Sequence, residues 1–279
     1  MRNVKIGAPG YILLDCMAKD MEGTLKKVAD LGYDGIEITG FFGKSAEEIR
    51  RACEQAGIKP FGCFVSATEI LRKEPIEGSN NWGEFAYAFE LPGAVPEEAV
   101  SYLKEIGCEY VGLLNPNVPL TEELLDNIRS AGALLESYGM KLQYHNHNYE
   151  FINMENGKYR MEQILEEIPE HLLFEPDLGW MEIGGADSEA ILKEYANRIE
   201  VVHLKDYYRT GNIRAWKESY VFRPTGYGSM RWETLIPLCE TLIRPEWYVP
   251  DHDKSYENCD IFEELKMSLD FVKNSLKYC

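Results

Sequence analysis

A short phrase recurs along the first half of this chain: a helix-like stretch, one glycine, then a strand-like run. It reads Leu31-Gly32-Tyr33-Asp34, Ala56-Gly57-Ile58-Lys59, Ile106-Gly107-Cys108-Glu109 and Tyr138-Gly139-Met140-Lys141. A glycine there fits the left-handed position that ends a helix, where a Cβ would clash. The runs that follow are GIEI, PFGCFV, YVGLL and LQYHNH. The stretches before them are amphipathic: Leu25, Val28 and Leu31 share one face of 21–31, and Leu124, Leu125, Ile128, Ala131, Leu134 and Leu135 share one face of 121–138. Ser45 to Glu48 carries a capping-box pattern, and Thr121 with Glu122 and Glu123 opens another helix.

Continued to the end, the pattern gives eight strand–helix units. The strands lie near 3–8, 34–38, 60–65, 109–114, 141–147, 171–176, 199–204 and 246–251, and the last helix spans 260–276. Strict alternation predicts a parallel sheet, and eight units in 279 residues predict an α/β fold closed as a (β/α)₈ TIM barrel in one domain, 1–279. A doubly wound open sheet is the alternative, but Pro9-Gly10 after the first strand is no nucleotide-binding glycine loop. Two connections are long, near 66–95 and 206–229, where barrels build their active face.

Composition removes several functions. With 29 basic against 47 acidic residues the net charge is −18, which repels nucleic acid and anionic membranes. No apolar run reaches 18 residues, and MRNVKIGAPG does not read as a signal peptide. Seven scattered cysteines without CxxC spacing read as reduced thiols of a cytoplasmic protein.

Four strand ends carry polar groups. Alternation turns Gln143, His145 and His147 to one side, the barrel interior. FEPDLGW supplies a carboxylate at the end of the sixth strand, VVHLKD supplies His203 and Lys205 at the seventh, and VPDHD supplies Asp251, His252 and Asp253 at the eighth. His171 lies at a helix-to-strand junction and reads as structural. Imidazole and carboxylate together suit one divalent ion, manganese foremost, with magnesium, cobalt, iron or zinc as alternatives. Lys205 points the way His203 does and is assigned to neutralise a developing oxyanion. His147, Trp180, Tyr207, Trp216 and His252 are the expected substrate contacts, and a carbohydrate or polyol is the expected small-molecule partner.

GYDGIEI, YHNHNYEF, FEPDLGW with its following GG, NRIEVVHLKD and the Tyr-Val-Pro-Asp-His-Asp end resemble the sugar phosphate isomerase/epimerase family of xylose-isomerase-like, endonuclease-IV-like barrels, in its YHNH-bearing subgroup. The resemblance runs along nearly the whole chain and is strongest from 138 to 206. It implies metal ligands at Asp177, His203 and Asp251, with the fifth-strand ligand either His145 or Glu150. It implies proton abstraction beside a carbonyl through a metal-bound enediolate, giving an isomerase or epimerase. His145, where many epimerases carry glutamate, opens the alternative of a lyase with His145 as base, dehydrating or eliminating from a keto-sugar, inosose or keto-glycoside. Lys205 and Glu150 complete the expected catalytic set. A non-catalytic barrel, or one that needs a second subunit, is a third reading, and family habit implies a homo-oligomer. Gly226-Tyr227-Gly228 lacks a family carboxylate and FGCFVS lacks a histidine, so the extra ligands of the DNA-repair relatives are missing.

Overall fold

The computed structural model describes residues 4–76, 87–113, 117–210, 220–255 and 259–278. Eight parallel strands form the wall: β1 (Lys5–Pro9), β2 (Gly35–Ile38), β3 (Lys59–Val65), β4 (Tyr110–Leu113), β5 (Lys141–His145), β8 (Leu173–Glu175), β9 (Val201–Arg209) and β11 (Trp247–Asp251). Neighbours pair in the order β9-β11-β1-β2-β3-β4-β5-β8. The ring closes between β8 and β9, where Asp177 bridges His203 and the His203 amide donates to the Pro176 carbonyl at 2.9 Å. The fold is the expected barrel.

The glycine phrase works as the sequence predicts. Gly32, Gly57, Gly107 and Gly139 have φ of 100°, 76°, 104° and 72° and end α2 (Met21–Leu31), α3 (Ala46–Ala56), α5 (Pro96–Ile106) and α6 (Glu122–Ser137). Ser45 makes its capping box with Glu48. Around the ring follow α1 (Leu14–Lys19), α4 (Ala67–Ile70), α7 (Tyr149–Ile152), α8 (Arg160–Glu167), α9 (Leu178–Gly184), α10 (Ser188–Tyr195), α11 (Trp232–Leu242) and α12 (Ile261–Leu276). Two features go beyond the expected pattern. A small hairpin, β6 (Met154–Glu155) with β7 (Lys158–Tyr159), precedes α8, and β10 (Tyr220–Arg223) pairs antiparallel with the extended end of β9.

Alternation sorts each strand. Ile36, Ile38, Val202, Leu204, Leu142 and Tyr144 face the helices and join the main core. Phe61, Tyr110, Val201, Trp247 and Val249 fill the lower barrel interior, with Phe61 and Trp247 stacked at 3.9 Å. That apolar plug leaves the upper interior to polar side chains. Among the described residues no helix is long and apolar enough to cross a membrane. The six described cysteines are free thiols.

The long connection after β9 is anchored by one carboxylate. Asp206 accepts from the amides of Gly226, Gly228 and Met230 at 2.9–3.1 Å and from Trp232 Nε1 at 2.7 Å. A Cβ on Gly228 would stand 2.1 Å from Asp206 Oδ1, so only glycine lets the turn wrap that closely.

Candidate active site

The C-terminal ends of the strands enclose a cavity of about 140 Å³. Pro9, Gly10, Tyr11, Glu37, Thr39, Phe64, His145, His147, His203, Lys205, Asp251 and Asp253 line it.

Lys205 is its electrostatic centre. The ammonium lies 2.6 Å from Asp253 Oδ1, 2.8 Å from Asp251 Oδ2 and 3.0 Å from Asp177 Oδ2, and the side chain is 1% exposed. Burial disfavours its charge, but the three carboxylates outweigh burial and hold the amine well above its ordinary range. The Trp180 and Phe222 rings pack against the same ammonium at 5.4 and 5.6 Å. Gly179 makes this approach possible, since a Cβ there would meet the Lys205 carbonyl at 2.4 Å.

Beneath lies a buried histidine–carboxylate cluster. His203 Nε2 is 2.7 Å from Glu37 Oε2 and 3.5 Å from Glu175 Oε1, and Nδ1 is 3.2 Å from Asp251 Oδ2. Burial opposes its protonation, yet Glu37 and Glu175 raise it well above the usual imidazole range. His145 stands beside it, with ring centroids 4.5 Å apart. His145 Nδ1 is 3.4 Å from Glu175 Oε2 and Nε2 is 3.7 Å from Asp177 Oδ2. Burial, then the charge of His203, lowers His145 well below its ordinary pKa, so the ring is neutral. Burial brings His147 down to about 3. Asn146, between the two histidines, stitches β5 to the sixth-strand end: its Oδ1 accepts from Asp177 N at 3.0 Å and its Nδ2 donates to Asp177 O at 3.2 Å.

The donor chemistry fits a divalent ion. Two groups of three, His145–Asp177–His203 and Glu37–Glu175–His203, each bring their ligand atoms within 4.8 Å of one another. Glu37 Oε1, Glu175 Oε2 and His145 Nδ1 are buried without a hydrogen-bond partner, an arrangement that folding rarely tolerates without a ligand.

Of the residues singled out in the sequence, Asp177, His203, Lys205, Asp251, His145 and His147 come together here. Glu150 does not. Its Oε1 accepts from Tyr144 OH at 2.8 Å and its Oε2 from the His147 amide at 2.9 Å. Tyr144 is on the helix side of β5, so the Glu150 carboxylate is held on that side of the barrel wall and does not line this cavity. His252 follows inward-facing Asp251 and therefore turns outward, where Nε2 lies 3.3 Å from Glu264 of α12. Tyr207 is buried beside Arg209 and Tyr220 and does not line the cavity. Trp180 backs Lys205 rather than lining the cavity. Trp216 lies outside the described residues. His171 pairs with Glu136 away from the site.

Glu37 and Glu175 are the residues that sequence reasoning left unassigned. The signal was a carboxylate inside a strand otherwise fully apolar, GIEI, where a buried parallel strand has no use for charge.

Buried Glu150 sets a pH dependence. Burial pushes its carboxyl from 4.5 up to about 7. A folded pKa above the unfolded one means that folding takes up a proton between those values. Glu150's contribution is therefore full below the lower value and lost as pH rises through the upper. At about 1.4 kcal/mol per unit, the swing is about 3 kcal/mol. Glu150→Gln removes it, so melting of the variant should gain on wild type between about pH 5 and pH 8. Parallel melting curves would show Glu150 ionised throughout.

Comparisons with known proteins agree with this architecture. A family model described as xylose isomerase-like TIM barrel matches residues 25–240. An inosose dehydratase of Geobacillus kaustophilus is 25% identical over 205 residues, 65% of this chain and 60% of that protein. This chain thus matches less than two thirds of that relative's length. An inosose dehydratase of Clostridium beijerinckii is 27% identical over 271 residues, 90% of this chain and 88% of that protein. A crystal structure of a sugar phosphate isomerase/epimerase from Parabacteroides distasonis superposes with a TM-score of 0.72 at 21% identity, covering 98% of this chain and 94% of that one.

Proposed function

The chain belongs to the xylose isomerase-like TIM barrel family, and we propose that it is a divalent-metal-dependent lyase that dehydrates an uncharged keto-polyol. The observation that carries this reading is the pairing of one neutral imidazole, His145, with one fixed ammonium, Lys205, on a single small cavity. The inosose dehydratases among its relatives support it from a second direction.

A divalent ion held by His203 with the neighbouring carboxylates would polarise the substrate carbonyl and acidify the adjacent C–H. His145, neutral through burial, accepts the proton from that carbon. The C–H electron pair becomes an enolate, and the Lys205 ammonium balances the oxygen's charge. The enolate then collapses, breaking the bond from the next carbon to its hydroxyl. The imidazolium returns its proton to that hydroxyl, and water leaves an unsaturated ketone. A buried imidazolium is a strong acid, so the residue that takes the proton is well suited to give it back.

Epimerisation asks for a free base on each side of one carbon. The carboxylates lining the cavity are engaged, Glu37 by His203 and Asp251 and Asp253 by Lys205. Charge selects the substrate: three carboxylates and one already paired ammonium line the cavity, and no arginine is among the described lining residues. A phosphate or carboxylate ligand would meet repulsion, whereas hydroxyls can donate to those oxygens.

The test is incubation with Mn²⁺ in D₂O of an inosose and, separately, of a phosphorylated ketose, followed by NMR and ultraviolet absorbance. Loss of water with growth of the conjugated ketone, from the neutral substrate alone, is expected. Deuterium exchange with an epimer but no dehydration would make the protein an epimerase. No exchange at all would leave a barrel that binds without turnover or needs a second subunit.

A further inference from the structure

We propose that Thr39 is a specificity-determining residue of this cavity, its hydroxyl reading one hydroxyl of a cyclic polyol on the wall that faces the proton transfer. This rests on the neutral-polyol reading above and names the group that selects among such polyols.

Alternation along β2 turns Glu37 inward and, two residues on, Thr39, and both line the cavity. In the ring β2 stands three strands from β5, by way of β3 and β4, and three from β9, by way of β1 and β11. Thr39 therefore faces the strands that carry His145 and Lys205 from the far wall. On its own side Pro9, Gly10, Tyr11 and Phe64 line the cavity, and all four are uncharged. Tyr11 lines the cavity while 43% exposed, and so marks its open side. Gly10 lets the turn after β1 close on the end of β2: a Cβ there would stand 2.1 Å from the Glu37 carbonyl oxygen and 3.0 Å from Thr39 Oγ1. The turn that carries Tyr11 is thereby held beside Thr39.

Thr39 is 2% exposed, and among the described residues its Oγ1 is buried without a hydrogen-bond partner. A threonine hydroxyl ordinarily takes up a backbone group nearby, and a buried one left alone costs folding free energy. Glu37, His145, His147 and Asp251 also carry buried atoms without partners. Those four are ionisable and can be satisfied by an ion or a proton. Thr39 cannot ionise, and the reaction above gives it no part. Its hydroxyl both donates and accepts, so its natural partner is another group that does both, an alcohol of the substrate. A carbon that lacks the alcohol would leave Oγ1 unpaired in the closed complex. A buried polar group left unpaired is how a site rejects an analogue missing one hydroxyl.

The experiment compares full-length wild type, Thr39→Val and Thr39→Ser, each with Mn²⁺ present. Binding of inositol and of its mono-deoxy analogues is read by NMR titration, and kcat/KM is measured on the matching inososes. Thr39→Val should melt at or above wild type, since a methyl replaces a hydroxyl without a protein partner. It should bind inositol about 5- to 100-fold more weakly, the range for leaving one buried polar group unpaired. Thr39→Ser should recover most of that loss. On one mono-deoxy analogue wild type and Thr39→Val should bind alike, because the hydroxyl that Thr39 reads is gone. Equal weakening across every analogue, or none on any, would overturn the assignment. A Thr39→Val protein that melts well below wild type would make the hydroxyl a structural group and overturn it too. Wild type that binds no inositol overturns it as well. The lyase reading fails separately, through binding that depends on the one hydroxyl with no dehydration of any inosose.

Discussion

Lys205→Met is expected to cost turnover and stability together. Methionine keeps the length and most of the volume of the side chain but removes the charge. In wild type the ammonium serves three carboxylates at 2.6–3.0 Å, at a position 1% exposed. Without it Asp177, Asp251 and Asp253 crowd one another with no counter-charge. Deleting one partner of a buried ion pair typically costs about 3–5 kcal/mol, because the other charge stays buried and uncompensated. Part of this is recovered as the carboxylates take up protons, so the loss should be larger at pH 8 than at pH 5. Urea unfolding at both values reads it. Adding Asp253→Asn to Lys205→Met should restore some stability by removing one of the repelling charges. Turnover should fall by about 100- to 1,000-fold, the scale of losing one preorganised donor to an oxyanion. Full turnover in a folded Lys205→Met protein would leave Lys205 a structural cation only.

The barrel was legible because its signals are local. A glycine at a helix end is demanded by backbone geometry, whatever the chain does elsewhere, and the four glycines with φ between 72° and 104° stand at the positions the phrase marks. The β6–β7 hairpin escaped because two-residue strands carry no period, and β10 escaped because it reads as a strand only beside the extended end of β9.

The site was legible to the extent that alternation could be followed. His203 and Lys205 share a face of β9, and counting by two finds both. The same count, continued one residue past Asp251, sends His252 outward to Glu264, so its place beside two aspartates in sequence misled. Glu150 lies beyond the strand end, where alternation no longer applies. Its place is fixed by Tyr144, a residue on the far side of the wall, and only three-dimensional structure brings the two together. Glu37 failed for another reason: its partner His203 is 166 residues away, and no pattern in GIEI names that partner.

His145→Ala separates the base from the ion. If His145 takes the substrate proton, the variant should lose solvent exchange at that carbon by about 100- to 10,000-fold, the range that a positioned acid–base group supplies. Its Mn²⁺ affinity is measured alongside, because His145 belongs to one of the two groups of converging donors, His145–Asp177–His203, and not to the other; a base that is not a ligand leaves that affinity near wild type. The fold should survive, since among the described residues His145 makes ring contacts with Phe64, His147 and His203 and loose polar approaches at 3.4 and 3.7 Å. Small imidazoles added to the solution can enter the space that alanine leaves and should return part of the exchange. A structural role for the ring could not produce that rescue. Loss of the ion together with exchange would instead make His145 a ligand through the His145–Asp177–His203 group. The proton would then have to go to one of the cavity carboxylates, with Asp253 the first to replace by asparagine because its side chain is the most exposed of the three that hold Lys205, 24% against 6% for Asp251 and 0% for Asp177.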